Sequence, residues 1–196
     1  MKTLILATAC LAALSAATLQ RGERDRAMSS LHASRKQFLD SISGLSEAQW
    51  NFKPDEKTWS VAEVAEHIAI SEDTLWGMIE KQMLPSPAKS VDLKANDEAI
   101  MKGVTDRSKK FQAPEMLVPT HRWKTREELT AHFKASRDKL IAYVDTTSDD
   151  LRSHTAPHPV FKELDAYQWI LLISGHSERH TMQILEVKAN PGFPKQ

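Results

Sequence analysis

Three histidines are spaced so that they could bind one metal ion. His176 and His180 are four residues apart in the sequence HSERH, so on a helix their imidazoles project from successive turns of one face. His67 lies much earlier in the chain, in another amphipathic segment. A third imidazole from a facing helix would give a divalent cation three nitrogen ligands and leave a position for water or substrate. That arrangement is typical of a catalytic rather than a structural metal site.

An isolated HxxxH pair is weak evidence for a metal site. The position of this pair within its helix makes the evidence stronger. Both histidines fall on the apolar stripe of one long helical segment, and a buried imidazole without a partner is energetically costly. The alternative is three separate histidines, each with ordinary hydrogen-bond partners. The stripe consists of Trp169, Ile170, Ile173, His176, His180, Ile184 and Val187.

Two further residues are candidates to orient the ligand imidazoles. Gln183 follows His180 by three residues, and Glu63 lies one turn before His67, so either side chain could hydrogen-bond to a ligand. Alternatively, both are ordinary residues of a helix surface. The zinc-protease pattern HExxH is absent, because Ser177 and not a glutamate follows His176. Glu178 points away from the metal side of its helix.

Four long helical segments must position these residues, and they predict an all-α four-helix bundle. Ser60 with Glu63 has the pattern of a capping box, and Thr125 precedes Glu128 in the same way. Residues 85–124 form a long crossover between the second and third helices, with a polar helix expected at 92–110. The four helices are predicted at about 22–43, 60–83, 125–144 and 162–188.

The first residues have the layout of a secretory signal peptide. Lys2 precedes an apolar run from Leu4 to about Leu14, and small residues then favour cleavage after Ala17. The run is shorter than the ~20 residues that span a bilayer. We therefore expect residues 1–17 to direct export to the periplasm or medium, with no stable membrane insertion after processing.

Composition excludes several classes of chemistry. Cys10 is the only cysteine and lies in the predicted leader, where lipoprotein processing is the less favoured alternative. Cleavage after Ala17 would leave no thiol for a disulfide or a nucleophile. Basic and acidic residues balance at 26 each, and no basic run supports nucleic-acid binding.

The last helix also predicts a second covered face. Leu171, Leu172 and Leu185 lie off the main apolar stripe, and a helix that is apolar on more than one side is usually covered twice. Either the crossover or another subunit could cover this face, so homodimerisation is a hypothesis.

Three stretches together resemble the DinB-like family, in particular its second large subgroup. They are FKPDEKTWSVAEVAEHIA at 52–69, HPVF at 158–161, and Trp169 with HSERHTMQI at 176–184. The resemblance covers residues 22–190, which we take as one domain. It implies an up-down-down-up bundle in which His67, His176 and His180 bind a divalent metal, commonly nickel or zinc.

The resemblance also implies a type of chemistry. Characterised relatives include transferases and isomerases that use low-molecular-weight thiols, so the metal would activate a thiol or water for attack on a small-molecule substrate. Predicted export favours water, and hence a hydrolase. Lys162 stands where the family pattern HPxFG has glycine, and His158 could line the mouth of the pocket without being a ligand. The alternative is a non-catalytic bundle that binds a metal or small ligand, for example in a stress response.

Overall fold

The computed structural model describes residues 18–195. The predicted signal peptide at 1–17, with Cys10, lies outside the described residues. Within 18–195, no helix is both long and apolar enough to cross a bilayer. The elements are α1 (Arg21–Ile42), α2 (Glu47–Trp50), α3 (Val61–Met78), α4 (Asp97–Thr105), α5 (Arg126–Thr146), β1 (Thr155–His158), β2 (Lys162–Asp165) and α6 (Ala166–Lys188).

Helices α1, α3, α5 and α6 form a four-helix bundle, as predicted. Arg24 near the start of α1 donates to the carbonyl oxygen of Thr147 at the end of α5, at 2.8 Å, so these helices are antiparallel. The Tyr167 hydroxyl at the start of α6 donates to the Glu23 carbonyl at 2.8 Å, so α1 and α6 are parallel.

Two side-chain contacts show that α3 and α5 run in the same direction. Asp73 of α3 meets His132 of α5 at 2.6 Å. Glu80, in the π-helical turn Ile79–Met83 that continues α3, meets Lys139 of α5 at 3.2 Å. The second contact therefore lies later in the sequence than the first on both sides of the interface. The order is therefore up-down-down-up, with the crossover between α3 and α5.

The segment before α6 has a different structure from the one predicted. Residues 155–158 and 162–165 pair as an antiparallel hairpin, so the predicted helix start at Lys162 is wrong. The helix begins after Asp165, whose side chain accepts from the Gln168 backbone N–H in a capping box. Lys162 has φ 66°, a left-handed conformation that favours glycine, which gives the family's glycine at this position a physical reason.

The bundle core has two apolar layers separated by polar residues. One layer surrounds Ile79, Leu140 and Ile170, and the other surrounds Phe133 and Ile184. The polar residues between them are fully or nearly buried: Ser34, Glu72, Arg137 and Ser177.

The crossover covers the second face of α6. Helix α4, shorter than the polar helix predicted there, packs against α6, and a Cβ at Gly175 would overlap the Val104 side chain. Leu171 and Leu172 are buried, whereas Leu185 is 50% exposed. The crossover thus accounts for most of the face that suggested a second subunit. Homodimerisation stays a prediction, and its support within the described residues is reduced to Leu185.

Candidate metal centre

The structure brings the three predicted histidines together. One ligand atom from each of His67, His176 and His180 lies within 4.8 Å of the other two. The Nε2 atoms of His67 and His176 are 3.3 Å apart. His67 is buried and the other two are half-buried. Antiparallel packing of α3 against α6 therefore turns two distant sequence segments into one cluster of imidazole nitrogens.

The spacing of these nitrogens fits a shared cation. Two nitrogens bound tetrahedrally at ~2.0–2.1 Å from one zinc ion are about 3.3 Å apart, which matches the distance between His67 and His176 of 3.3 Å. Imidazole is a ligand that nickel and zinc both accept. The residues present thus fit a divalent metal.

Hydrogen bonds orient two of the rings. The Nδ1 atom of His67 is 2.8 Å from the Leu117 carbonyl oxygen in the crossover. The Nδ1 atom of His180 is 2.9 Å from Oε1 of Gln183. Because both partners are acceptors, we assign the proton to each Nδ1. This tautomer leaves the Nε2 lone pairs of both rings free to bind a cation.

Burial keeps the imidazoles uncharged. Desolvation lowers the pKa of His67 and, together with the neighbouring rings, lowers that of His176 far below its usual range. It also lowers the pKa of His180 to about 3. All three are therefore neutral at physiological pH, which is the form that binds metal.

Glu63 is not a partner of His67, in contrast to the prediction. Its carboxylate accepts from the Ser60 backbone N–H at 2.7 Å and pairs with Lys53 at 3.0 Å. The capping box turns this side chain back toward the start of α3. The His67 ring is oriented instead by the Leu117 carbonyl.

His158 lies outside the three-histidine cluster, but near enough to add, after burial and the other two imidazoles, to the lowering of the pKa of His176. The Nδ1 atom of His158 accepts from the backbone N–H groups of Val160 and Phe161 at 3.1 and 3.2 Å, which holds the turn of the hairpin. The ring lies 5.2 Å from that of Trp169, two turns before His176 on α6. The group of possible ligands in the described residues consists of His67, His176 and His180, and the role of His158 at a pocket mouth stays a prediction.

Sequence reasoning missed two residues at the site. Leu117 contributes only a backbone carbonyl, for which no side-chain pattern exists. Trp59 places its ring 5.0 Å from that of His67, and its position just before the Ser60 cap was the one available signal.

A four-helix bundle in which three imidazoles converge defines the class of protein. The model of the DinB superfamily matches residues 30–184, and the chain belongs to this superfamily. The YuaE protein of Bacillus subtilis strain 168 is 30% identical over 161 residues, which cover 82% of this chain and 96% of YuaE.

Two solved structures share the fold. YfiT from Bacillus subtilis aligns with a TM-score of 0.57 at 16% identity and covers 91% of this chain and 93% of YfiT. The four-helix bundle protein TT2238 aligns with a TM-score of 0.51 at 23% identity and covers 83% of this chain and 98% of TT2238. At these identities the likeness concerns the fold alone.

Proposed function

We propose that the protein is a metal-dependent enzyme that activates water or a thiol for attack on a small-molecule substrate. The observation that carries this proposal is the convergence of three neutral imidazoles at the centre of the bundle. YfiT, which shares the fold, is described as a probable metal-dependent hydrolase. His67, His176 and His180 would hold the cation, with nickel or zinc the expected metal.

A bound divalent cation would act as a Lewis acid and lower the pKa of the water or thiol that it binds. The chain's own residues support this role. Leu117 and Gln183 hold two imidazoles in the tautomer that ligation needs. Burial first, and then the His67 ring and the Arg107 and Arg179 guanidinium groups, lower the pKa of His180, which keeps this imidazole in the neutral form that binds metal.

Of the two nucleophiles, we favour water. The predicted leader at 1–17 implies export, and a cytosolic thiol cofactor would not accompany the protein. The proposed reaction is therefore hydrolysis.

A non-catalytic metal- or ligand-binding bundle is the second candidate, and one observation favours it. Within residues 18–195 the group that could hold a cation consists of histidines alone. The cluster therefore includes no carboxylate as a general base. A protein that only binds a metal or small ligand needs no such base.

Elemental analysis of the untagged protein with matched variants tests the site. We expect about one equivalent of nickel or zinc in the wild type and its loss in His176→Ala and His180→Ala, since each removes a ligand. His32→Ala, at an exposed position of α1, is the control and should retain the metal. Equal metal content in all four proteins would refute the assignment of the site.

Activity separates the two candidates. The loaded wild type is assayed on a panel of esters, amides and thiol conjugates. Hydrolysis that disappears in His176→Ala but persists in His32→Ala would support the hydrolase. Inactivity of the loaded protein on the whole panel would favour the binding protein.

Export and assembly are separate proposals with their own tests. If the leader is cleaved as proposed, N-terminal mass spectrometry of protein from the periplasm or medium should find a chain that begins at Thr18. A full-length chain retained in the cytosol would refute export.

Sedimentation at high micromolar concentration tests the proposed homodimer. A monomer under these conditions would refute it.

A further inference from the structure

Glu66, directly before His67, is a buried carboxylate bonded to the crossover. Its side chain is only 4% exposed. It accepts hydrogen bonds from the backbone N–H groups of Thr120, His121 and Arg122 at 2.9, 3.0 and 3.0 Å. An isolated carboxylate would be costly at this depth, and these three charge-assisted bonds offset that cost. The arrangement thus fastens the crossover to α3.

The backbone of the crossover is shaped to bind this carboxylate. Three consecutive N–H groups converge on one anion only where the chain turns sharply, as in anion-binding backbone nests. His121 makes this turn with φ 58°, a conformation that is uncommon for a residue other than glycine. The strained residue is consistent with a specific task for the contact with Glu66.

The same loop carries the group that orients His67. Leu117 lies three residues before Thr120, and its carbonyl oxygen is 2.8 Å from Nδ1 of His67. Glu66 and His67 are adjacent on α3, and both bind this short loop. A carbonyl can fix a ring only if its own backbone is held. Glu66 holds the loop just after Leu117, and the Leu117 N–H donates to the Pro114 carbonyl at 2.9 Å on the side before it.

A second side chain, that of Arg179, holds the crossover at residues 104–109. Arg179, directly before His180 on α6, donates to the carbonyl oxygens of Val104, Asp106 and Lys109. The residue before a histidine on each helix therefore holds the crossover, Glu66 by accepting from N–H groups and Arg179 by donating to carbonyls. Residues 110–119 span the distance between the two anchors.

We propose that Glu66 is a positioning residue of the metal centre: it anchors the loop that presents the Leu117 carbonyl to His67, and so directs Nε2 of His67 toward the cation. This inference rests on the metal site of the proposed function. It assigns to the crossover a part in metal binding, in addition to its covering of α6.

Glu66→Gln tests the proposal, because it keeps the size of the side chain but places an amide NH₂ against backbone donors. We expect zinc or nickel to bind about 10- to 100-fold more weakly, the effect typical of losing an orienting partner. The control is Glu80→Gln in the π-helical turn Ile79–Met83 that follows α3, where the carboxylate forms a half-exposed pair with Lys139. This control should bind metal as the wild type does.

Two measurements on metal-free protein make the test independent of metal binding. Imidazole ¹⁵N shifts should show His67 with its proton on Nδ1 in the wild type and a mixture of tautomers in Glu66→Gln. Amide hydrogen exchange at Thr120, His121 and Arg122 should accelerate at least tenfold in Glu66→Gln, since a lost anchor permits local opening. A merely structural role would change exchange without changing the tautomer.

The outcomes separate the two proposals. A wild type that binds neither metal would refute the proposed function, and the tautomer of His67 would then still decide the role of Glu66. An unchanged tautomer, with metal affinity within twofold of the wild type, would overturn the role of Glu66. If Glu66→Gln does not fold, Glu66→Asp is measured instead. It keeps the charge but shortens the reach, and the same shifts are expected.

Discussion

The ion pair between Arg137 and Glu72 connects all four bundle helices beside the metal centre. Arg137 of α5 uses all five of its N–H groups. Two bind the Glu72 carboxylate of α3 at 2.6 Å each, and two bind the Leu31 carbonyl and Ser34 hydroxyl of α1 at 2.9 and 2.7 Å. The fifth binds the hydroxyl of Ser177, the residue directly after His176, at 2.9 Å. We expect this ion pair to be the polar contact of the core whose loss most lowers the free energy of unfolding.

Arg137→Met should destabilise the fold strongly. Arg137 is 0% and Glu72 is 2% exposed, so the substitution leaves a buried carboxylate without its partner. Breaking a buried pair in this way costs about 3–5 kcal/mol. In a domain of this size 1 kcal/mol corresponds to roughly 2–4 °C, so Tm should fall by about 6–20 °C. The double variant Arg137→Met/Glu72→Leu removes both charges and should regain most of this loss.

The assay is urea denaturation with EDTA present, supported by calorimetry. Lys139→Met is the matched control, because Lys139 is 61% exposed in its pair with Glu80 and its loss should change stability by less than about 1 kcal/mol. The reasoning fails if Arg137→Met is no more destabilising than Lys139→Met. It also fails if the double variant is less stable than Arg137→Met.

Three further predictions concern acidity, the orienting glutamine and the hairpin. Burial lowers the pKa of His180 to about 3, against ~6.5 in the unfolded chain. The unfolded state therefore takes up the proton first, and stability is complete above neutral pH and falls as the pH drops through this window. At pH 5.5, His180 alone should lower the free energy of unfolding by about 1.4 kcal/mol, so denaturation curves of EDTA-treated protein that coincide at pH 5.5 and 7.5 would contradict its burial. Gln183→Ala removes the acceptor at Nδ1 of His180 and should weaken zinc binding about tenfold; calorimetric titration checks this, and an unchanged Kd would be inconsistent with the role of Gln183. Lys162→Gly relieves the left-handed φ of 66° and should raise stability by about 1 kcal/mol, whereas lower stability in urea would show that other contacts of Lys162 outweigh the strain.

The four helices and the starts of α3 and α5 could be predicted because the signals are local. The capping residues Ser60 and Thr125 lie at the starts of α3 and α5 as predicted, and the apolar stripe of α6 placed His176 and His180 on one inward face. The hairpin before α6 was missed because its strands are only four residues long. Strands this short show no clear alternation and are set by pairing with each other.

For Glu63, the local sequence pattern permitted two different predictions. The same residue was predicted as part of a capping box and as a partner of His67, and helix geometry permits both. Its carboxylate bonds to the Ser60 N–H and to Lys53, because the cap is available within its own turn. His67 is then oriented by a carbonyl fifty residues along the chain.

The amino-acid sequence by itself determined the four helices, the caps of α3 and α5 and the side of each helix on which the histidines lie, because helical period and capping depend on neighbouring residues only. Tertiary structure alone decided that α3 and α6 bring the three imidazoles within 4.8 Å of one another, and that α4 of the crossover packs against α6. It also decided that Glu66 and Arg179 bind the backbone of the crossover and that the Leu117 carbonyl lies against His67. Backbone N–H and C=O groups are alike in almost every residue, so their use as partners leaves no pattern in the sequence and arises only when distant segments pack.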